Sequence, residues 1–209
     1  TSSQYPASDI EWRAFIDAAD AARLVPLELL EQTYKVNIEK GEIGGVSVYE
    51  VTPVQISPEH QNRLFFHVHG GAYVLGGGDN AVAEAVQVAA ASGMRALSVD
   101  YRMPPEFPFP AAIDDTIAVY RETLQSYAPA AIAIGGTSTG GGLSLAAVHR
   151  MMQMDLPLPG AIYAGTPWSD LTKTSDSLFT NEGIDRVLVT YDGLLKGAAK
   201  IYAASTDMK

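Results

Sequence analysis

The 209-residue chain contains no cysteine. That excludes disulfides, thiolate zinc sites and a cysteine nucleophile. Histidine is scarce, with four in all, so chemistry that needs an imidazole base has few candidates. No apolar run reaches the roughly 18 residues that a membrane span requires, and no secretory signal is visible. Basic residues are few: 14 Lys and Arg against 24 Asp and Glu give a net charge of −10. Such a balance repels nucleic acid and anionic membranes. No Lys follows the glycine clusters and no G-x-G-x-x-G occurs, so neither a Walker P-loop nor a dinucleotide fingerprint is present. The expectation is one soluble, cytoplasmic domain without metal or cofactor.

What is present centres on residues 131–145. Ala131 to Gly136 begins as a short apolar run with β-branched residues, the look of a buried central strand. From Gly140 to Met154 apolar residues recur at helical spacing. Between them lies Gly136-Thr137-Ser138-Thr139-Gly140, a G-x-S-x-G sequence in the strand–turn–helix context of a nucleophile elbow. The turn strains the central residue and leaves its hydroxyl clear. The helix N-terminus behind it offers free N–H groups and a positive dipole end to an oxyanion.

Around this stretch the chain alternates. Residues 1–34 read as two helices, with Ser8 as N-cap, Glu11 completing a capping box and Pro26 restarting the helix at Leu27. Tyr34 to Lys40 and Val46 to Val51 alternate as antiparallel strands around Gly44-Gly45. Arg63 to His69 reads as a central strand that runs into Gly70-Gly71. Asp79 or Asn80 is expected to cap a helix ending at Ser92. Strand 95–99, helix 111–127, strand 161–164 and a helix from Tyr191 to about Ala204 complete the pattern. Strands alternating with helices after residue 60 predict βαβ units and a mainly parallel sheet.

Five motifs occur in order: His69-Gly70-Gly71-Ala72; Asp100-Tyr101-Arg102 with Pro104-Pro105-Glu106; Pro108-Phe109-Pro110 with Asp114-Asp115; the elbow at Ser138; and Pro167-Trp168-Ser169-Asp170-Leu171. Together they closely resemble the hormone-sensitive-lipase-like (bacterial family IV) esterases of the α/β-hydrolase fold. The resemblance implies a parallel-rich central sheet flanked by helices, with residues 1–34 as cap helices and 35–209 as an incomplete catalytic domain, residues from about 172 belonging to the cap. It implies Ser138 as nucleophile, an oxyanion hole from the backbone of Gly70, Gly71 and Thr139, and His69 as a residue that shapes that loop. Tyr73, Trp168 and Phe179 are candidate pocket walls. The family's commonest elbow is G-D-S-A-G. Here Thr137 removes a charge beside the nucleophile, and Thr139 adds a β-branch near the acyl group.

Half of a triad has no candidate. In this fold the histidine follows the serine along the chain, and the one histidine after Ser138 is His149. Eleven residues along the same helix place it roughly 16 Å away, beyond the roughly 3 Å reach of a general base. His60 and His67 read as structural, and the resemblance implies that Asp170, in the P-W-S-D-L stretch, is not the triad acid. The family extends about a hundred residues further with the acid and histidine. The expectation is a carboxylesterase for short acyl esters, with the missing C-terminal segment as partner, in one case as a second chain, and a homodimer as a further state. The chain alone is expected to be inactive, with its last strand exposed as an open edge. An amidase is a near relative. The different-class alternative is a non-catalytic, receptor-like small-molecule binder on the same fold.

Overall fold

The computed structural model describes residues 5–184 and 191–204. Two helices open the described chain, α1 (Asp9–Arg23) and α2 (Leu27–Tyr34). Ser8 Oγ accepts from Glu11 N–H at 3.3 Å, while the Glu11 carboxylate accepts from Ala7 N–H at 2.7 Å. The reciprocal cap therefore forms, displaced by one residue. Strands β1 (Val36–Ile43) and β2 (Val46–Pro53) pair antiparallel, with Ile43 opposite Val46. The two-residue turn needs positive φ at both positions, and Gly44 and Gly45 supply 61° and 79°.

Strand β3 (Leu64–Val68), helix α3 (Ala83–Ser92), strand β4 (Arg95–Val99), helix α4 (Ala111–Thr123), strand β5 (Ile132–Thr137), helix α5 (Thr139–Gln153) and strand β6 (Ala161–Gly165) follow. The last described elements are the short α6 (Asp176–Thr180) and α7 (Lys196–Ala203), the latter preceded by a widened turn over Tyr191–Leu195. The six strands lie in the order β1-β2-β4-β3-β5-β6. β2 and β4 run antiparallel, and β3 is parallel to both β4 and β5, as is β5 to β6.

β3 is buried at every residue, as a strand covered on both faces must be. Its side chains alternate between two cores. Leu64, Phe66 and Val68 pack with Tyr120 of α4 and Leu143 and Met151 of α5, whereas Phe65 packs with Val82, Ala85 and Val86 at the start of α3. These two layers hold the carboxyl ends of β3 and β5 side by side, with His67 opposite Gly135. Beyond that pair the two strands part: β3 ends at Val68 and turns into Gly70-Gly71, while β5 runs on beside β6 to Thr137 and turns into Ser138.

Two boundaries depart from expectation. Neither Asp79 nor Asn80 caps α3: the chain passes through a 3-10 turn, Gly78–Val82, with no side-chain cap. Their polar groups are engaged elsewhere. Asp79 accepts from Tyr49 Oη at 2.8 Å and pairs with Lys40 Nζ at 2.7 Å, and Asn80 Nδ2 donates to the Asp20 carbonyl at 3.0 Å. Helix α4 stops at Thr123, four residues early, because Gln125 and Ser126 close tighter three-residue turns on Glu122 and Thr123 before Pro129. The expected edge is there: among the described residues β6 pairs only with β5, and Ala161, Ile162 and Tyr163 are exposed. No described helix is long and apolar enough to cross a membrane.

Candidate active site

Ser138 joins β5 to α5 with φ 59° and ψ −121°, a conformation that L-residues seldom adopt. It is held by three main-chain hydrogen bonds: Ser138 N–H to the Gly165 carbonyl (2.8 Å), and Gly142 N–H (3.0 Å) and Trp168 N–H (2.9 Å) to its own carbonyl. No hydrogen bond involves its Oγ among the described residues. The half-buried side chain is thus presented rather than stored.

The glycines of the motif are demanded by close approach. A Cβ on Gly136 would lie 1.8 Å from the Val68 carbonyl oxygen, and one on Gly140 would lie 2.1 Å from the same atom. The end of β3 is therefore wedged between the two glycines that bracket the serine. One on Gly142 would lie 2.2 Å from the Trp168 carbonyl oxygen, which seats the segment after β6 against the same helix.

The Gly70-Gly71 loop meets the elbow directly. A Cβ on Gly70 would sit 2.7 Å from the Thr137 carbonyl oxygen and 3.6 Å from Ser138 Cβ. Gly71 has φ 122°, and Ala72 and Tyr73 also have positive φ, 56° and 62°. Val74 and Leu75 N–H close back on the Gly71 carbonyl. The loop is clamped from outside. Gly76 N–H donates to Asp20 Oδ1 of α1 at 2.9 Å, and Trp12 and Ile16 of α1 pack on Ala72, Val74 and Leu75. Burial raises the Asp20 carboxyl above its ordinary value, offset in part by the Gly76 hydrogen bond.

His69 lies buried beneath this loop, 4% exposed. Its Nδ1 donates to the Gly70 carbonyl at 2.7 Å, and its ring stacks on Tyr101 with centroids 4.0 Å apart. Tyr101 Oη donates to the His69 carbonyl at 2.8 Å. Burial lowers the imidazole to about 4, so it is neutral at physiological pH. Three polar atoms around the elbow have no partner among the described residues: His69 Nε2, Thr139 Oγ1 and Trp168 Nε1.

The remaining candidates separate. Tyr73 and Trp168 come within 6.4 Å between centroids, and Tyr73 stacks on Tyr202 at 3.8 Å. Phe179 stands exposed on α6 beneath Lys173. Asp170 is exposed and spends its carboxylate on Thr172 and Thr174, whose hydrogen bonds lower it. Asp115 is buried and chelated by Arg102, whose Nη2 lies 2.7 Å from Oδ1, so the Asp100-Tyr101-Arg102 stretch is tied to α4. His149 is exposed on α5.

Thr137 brings no charge of its own to the elbow, as the sequence reads, but a charged neighbour comes from another element. Glu84 of α3 brings a carboxylate to it: Thr137 Oγ1 donates to Oε1 at 2.6 Å and Thr137 N–H to Oε2 at 3.1 Å. Sequence reasoning passed over Glu84. Its signal was one acidic residue inside the apolar run Ala81 to Ala91, interrupted otherwise only by Gln87.

A strained serine between a parallel strand and a helix, with a glycine loop against it, is the architecture of an α/β hydrolase. A family model described as alpha/beta hydrolase fold matches residues 65–209. The chain belongs to that family, in its hormone-sensitive-lipase-like branch. An acetyl-hydrolase of Streptomyces hygroscopicus is 31% identical over 95% of this chain, and an esterase of Acinetobacter venetianus is 35% identical over 77%. The crystal structure of an esterase named E25 superposes with a TM-score of 0.93 at 44% identity over 98% of the chain. An esterase of the bacterial hormone-sensitive lipase family gives 0.77 at 29% identity over 98%. The chain spans 66% and 52% of the two relatives and 62% and 72% of the two structures.

Proposed function

We propose that this chain carries the nucleophile half of a carboxylesterase acting on short, neutral acyl esters. Ser138 attacks the ester carbonyl, the alcohol leaves, and water hydrolyses the acyl-enzyme. The backbone N–H groups of Gly70, Gly71 and Thr139 hold the oxyanion, each worth about 3 to 4 kcal/mol in the transition state. His69 orients that loop through the bond from its Nδ1 to the Gly70 carbonyl, and among the described residues no hydrogen bond joins it to Ser138. Tyr73, Trp168 and Phe179 are the proposed pocket walls. The observation that carries the reading is the strained Ser138 backbone with Gly70 packed on it.

The general base and its acid come from a further segment, in this chain's own gene or as a second polypeptide. None of the four histidines hydrogen-bonds Ser138 among the described residues. That segment also pairs with β6 and covers Ile162 and Tyr163, and a homodimer through the same edge is its competitor. The net charge suits a neutral substrate in the cytoplasm better than an anionic one.

The test is a fluorophosphonate probe with peptide mapping. Label on Ser138, lost in Ser138→Ala, is expected; label on another serine refutes the assignment. The 209-residue chain assayed alone with p-nitrophenyl acetate is expected to show only residual hydrolysis.

A further inference from the structure

We propose that Glu84 is a positioning residue for the Ser138 elbow, acting through Thr137 and backed by His67 and Ser98. The inference rests on the esterase reading above and adds a fourth element, α3, to the catalytic apparatus.

The backbone creates the need. β3 pairs with β5 as far as His67 opposite Gly135 and then leaves for Gly70. Past that point the N–H of Thr137, the residue before the serine, has no strand on this side to receive it among the described residues. Glu84 Oε2 receives it at 3.1 Å, and Glu84 Oε1 receives the Thr137 hydroxyl at 2.6 Å. One carboxylate thus fixes both the peptide plane and the side chain of the residue from which the strained turn starts. Tyr163 Oη on β6 approaches the same hydroxyl at 3.5 Å.

The carboxylate is itself fixed from behind. His67 is fully buried, with Nε2 3.2 Å from Glu84 Oε2 and Nδ1 2.8 Å from Ser98 Oγ. Ser98 Oγ spends its single proton on the Ala81 carbonyl at 2.7 Å, so toward His67 it accepts and Nδ1 donates. The contacts run from Ala81 through Ser98, His67 and Glu84 to Thr137, and with Nδ1 donating to Ser98, the Nε2 contact is a hydrogen bond to the Glu84 carboxylate when Nε2 carries a proton as well. Burial pushes the Glu84 carboxyl up, but the bonds from His67 and Thr137 outweigh it and the net displacement is downward. Glu84 therefore stays ionised at the pH of the reaction. An anion bound to the residue before the serine also favours the positive charge that a general base acquires when it takes the serine proton.

A carboxylate that only stabilised the fold would change melting and leave the chemistry alone. The experiment compares Glu84→Gln, Thr137→Val and Thr137→Ser in the full gene product, with p-nitrophenyl acetate kinetics, the rate of fluorophosphonate labelling and thermal unfolding. Glu84→Gln places an NH2 against one of two donors. Its kcat and labelling rate are expected to fall roughly 10- to 100-fold, the scale of a small misplacement of a reacting group, with KM within about twofold of the parent. Thr137→Val, which loses the hydroxyl contact, falls in the same direction, while Thr137→Ser retains both bonds and stays within about threefold. A Glu84→Gln protein with parental kcat, or one changed in KM alone, overturns the inference. If Glu84→Gln does not fold, Thr137→Val decides: parental kcat there overturns it equally. A wild-type protein that neither labels at Ser138 nor hydrolyses the ester overturns the esterase reading itself, a result no Glu84 variant can mimic.

Discussion

Replacing the elbow serine with glycine should make the protein more stable than replacing it with alanine. Ser138 sits at φ 59° and ψ −121°, a region costing a residue with a Cβ about 1–3 kcal/mol that glycine escapes. Alanine keeps the Cβ and hence the strain. Among the described residues neither variant loses a side-chain hydrogen bond, and the three main-chain bonds at this position survive in both. Glycine gives back about 0.5–1 kcal/mol through the greater freedom of its unfolded chain. The net advantage of Ser138→Gly over Ser138→Ala is therefore about 1 kcal/mol, or about 2–4 °C in melting temperature for a chain of this size. Urea and thermal unfolding of the two inactive variants measure it without interference from turnover. A glycine variant equal to or less stable than the alanine variant would refute the reasoning, because it would mean that the elbow stores no backbone strain.

Three further outcomes follow from the same geometry. Gly140→Ala, although it puts the best helix former into a helix, is expected to lose stability by about 1–3 kcal/mol and abolish probe labelling, since the new Cβ would lie 2.1 Å from the Val68 carbonyl oxygen; a stabilised, labelled variant would contradict this. Phe66→Ala, at a fully buried position, should cost about 3–5 kcal/mol in urea unfolding, and a loss below 1 kcal/mol would mean the central strand is misplaced. His69 has a folded-state value of about 4 against an ordinary 6.5, so the unfolded chain binds a proton between those values that the folded chain does not. Its contribution is complete above pH 6.5 and lost as pH falls toward 4, up to about 3 kcal/mol, and the pH 7 to pH 4.5 stability difference should shrink in His69→Gln.

How much of this was legible depended on whether the signal was local. The Gly44-Gly45 hairpin, the all-apolar β3 and the elbow are written in consecutive residues: a turn needing two positive φ angles, a strand buried on both faces, and glycines wherever a carbonyl presses on the backbone. The elbow could be read because strain and close approach restrict which residues can stand there. Asp79 failed as a helix cap for the opposite reason. Its carboxylate serves Tyr49 and Lys40 on strands thirty or more residues earlier, and a three-dimensional partner outbid the local one. Glu84 was missed on the same ground. It lies 53 residues before Thr137, and only the packing of α3 on the sheet brings them together. The charge that the elbow lacks in its own five residues is supplied from another element, so the motif's chemistry cannot be judged within the motif. What a turn must exclude is visible in the turn; what it borrows is visible only in the fold.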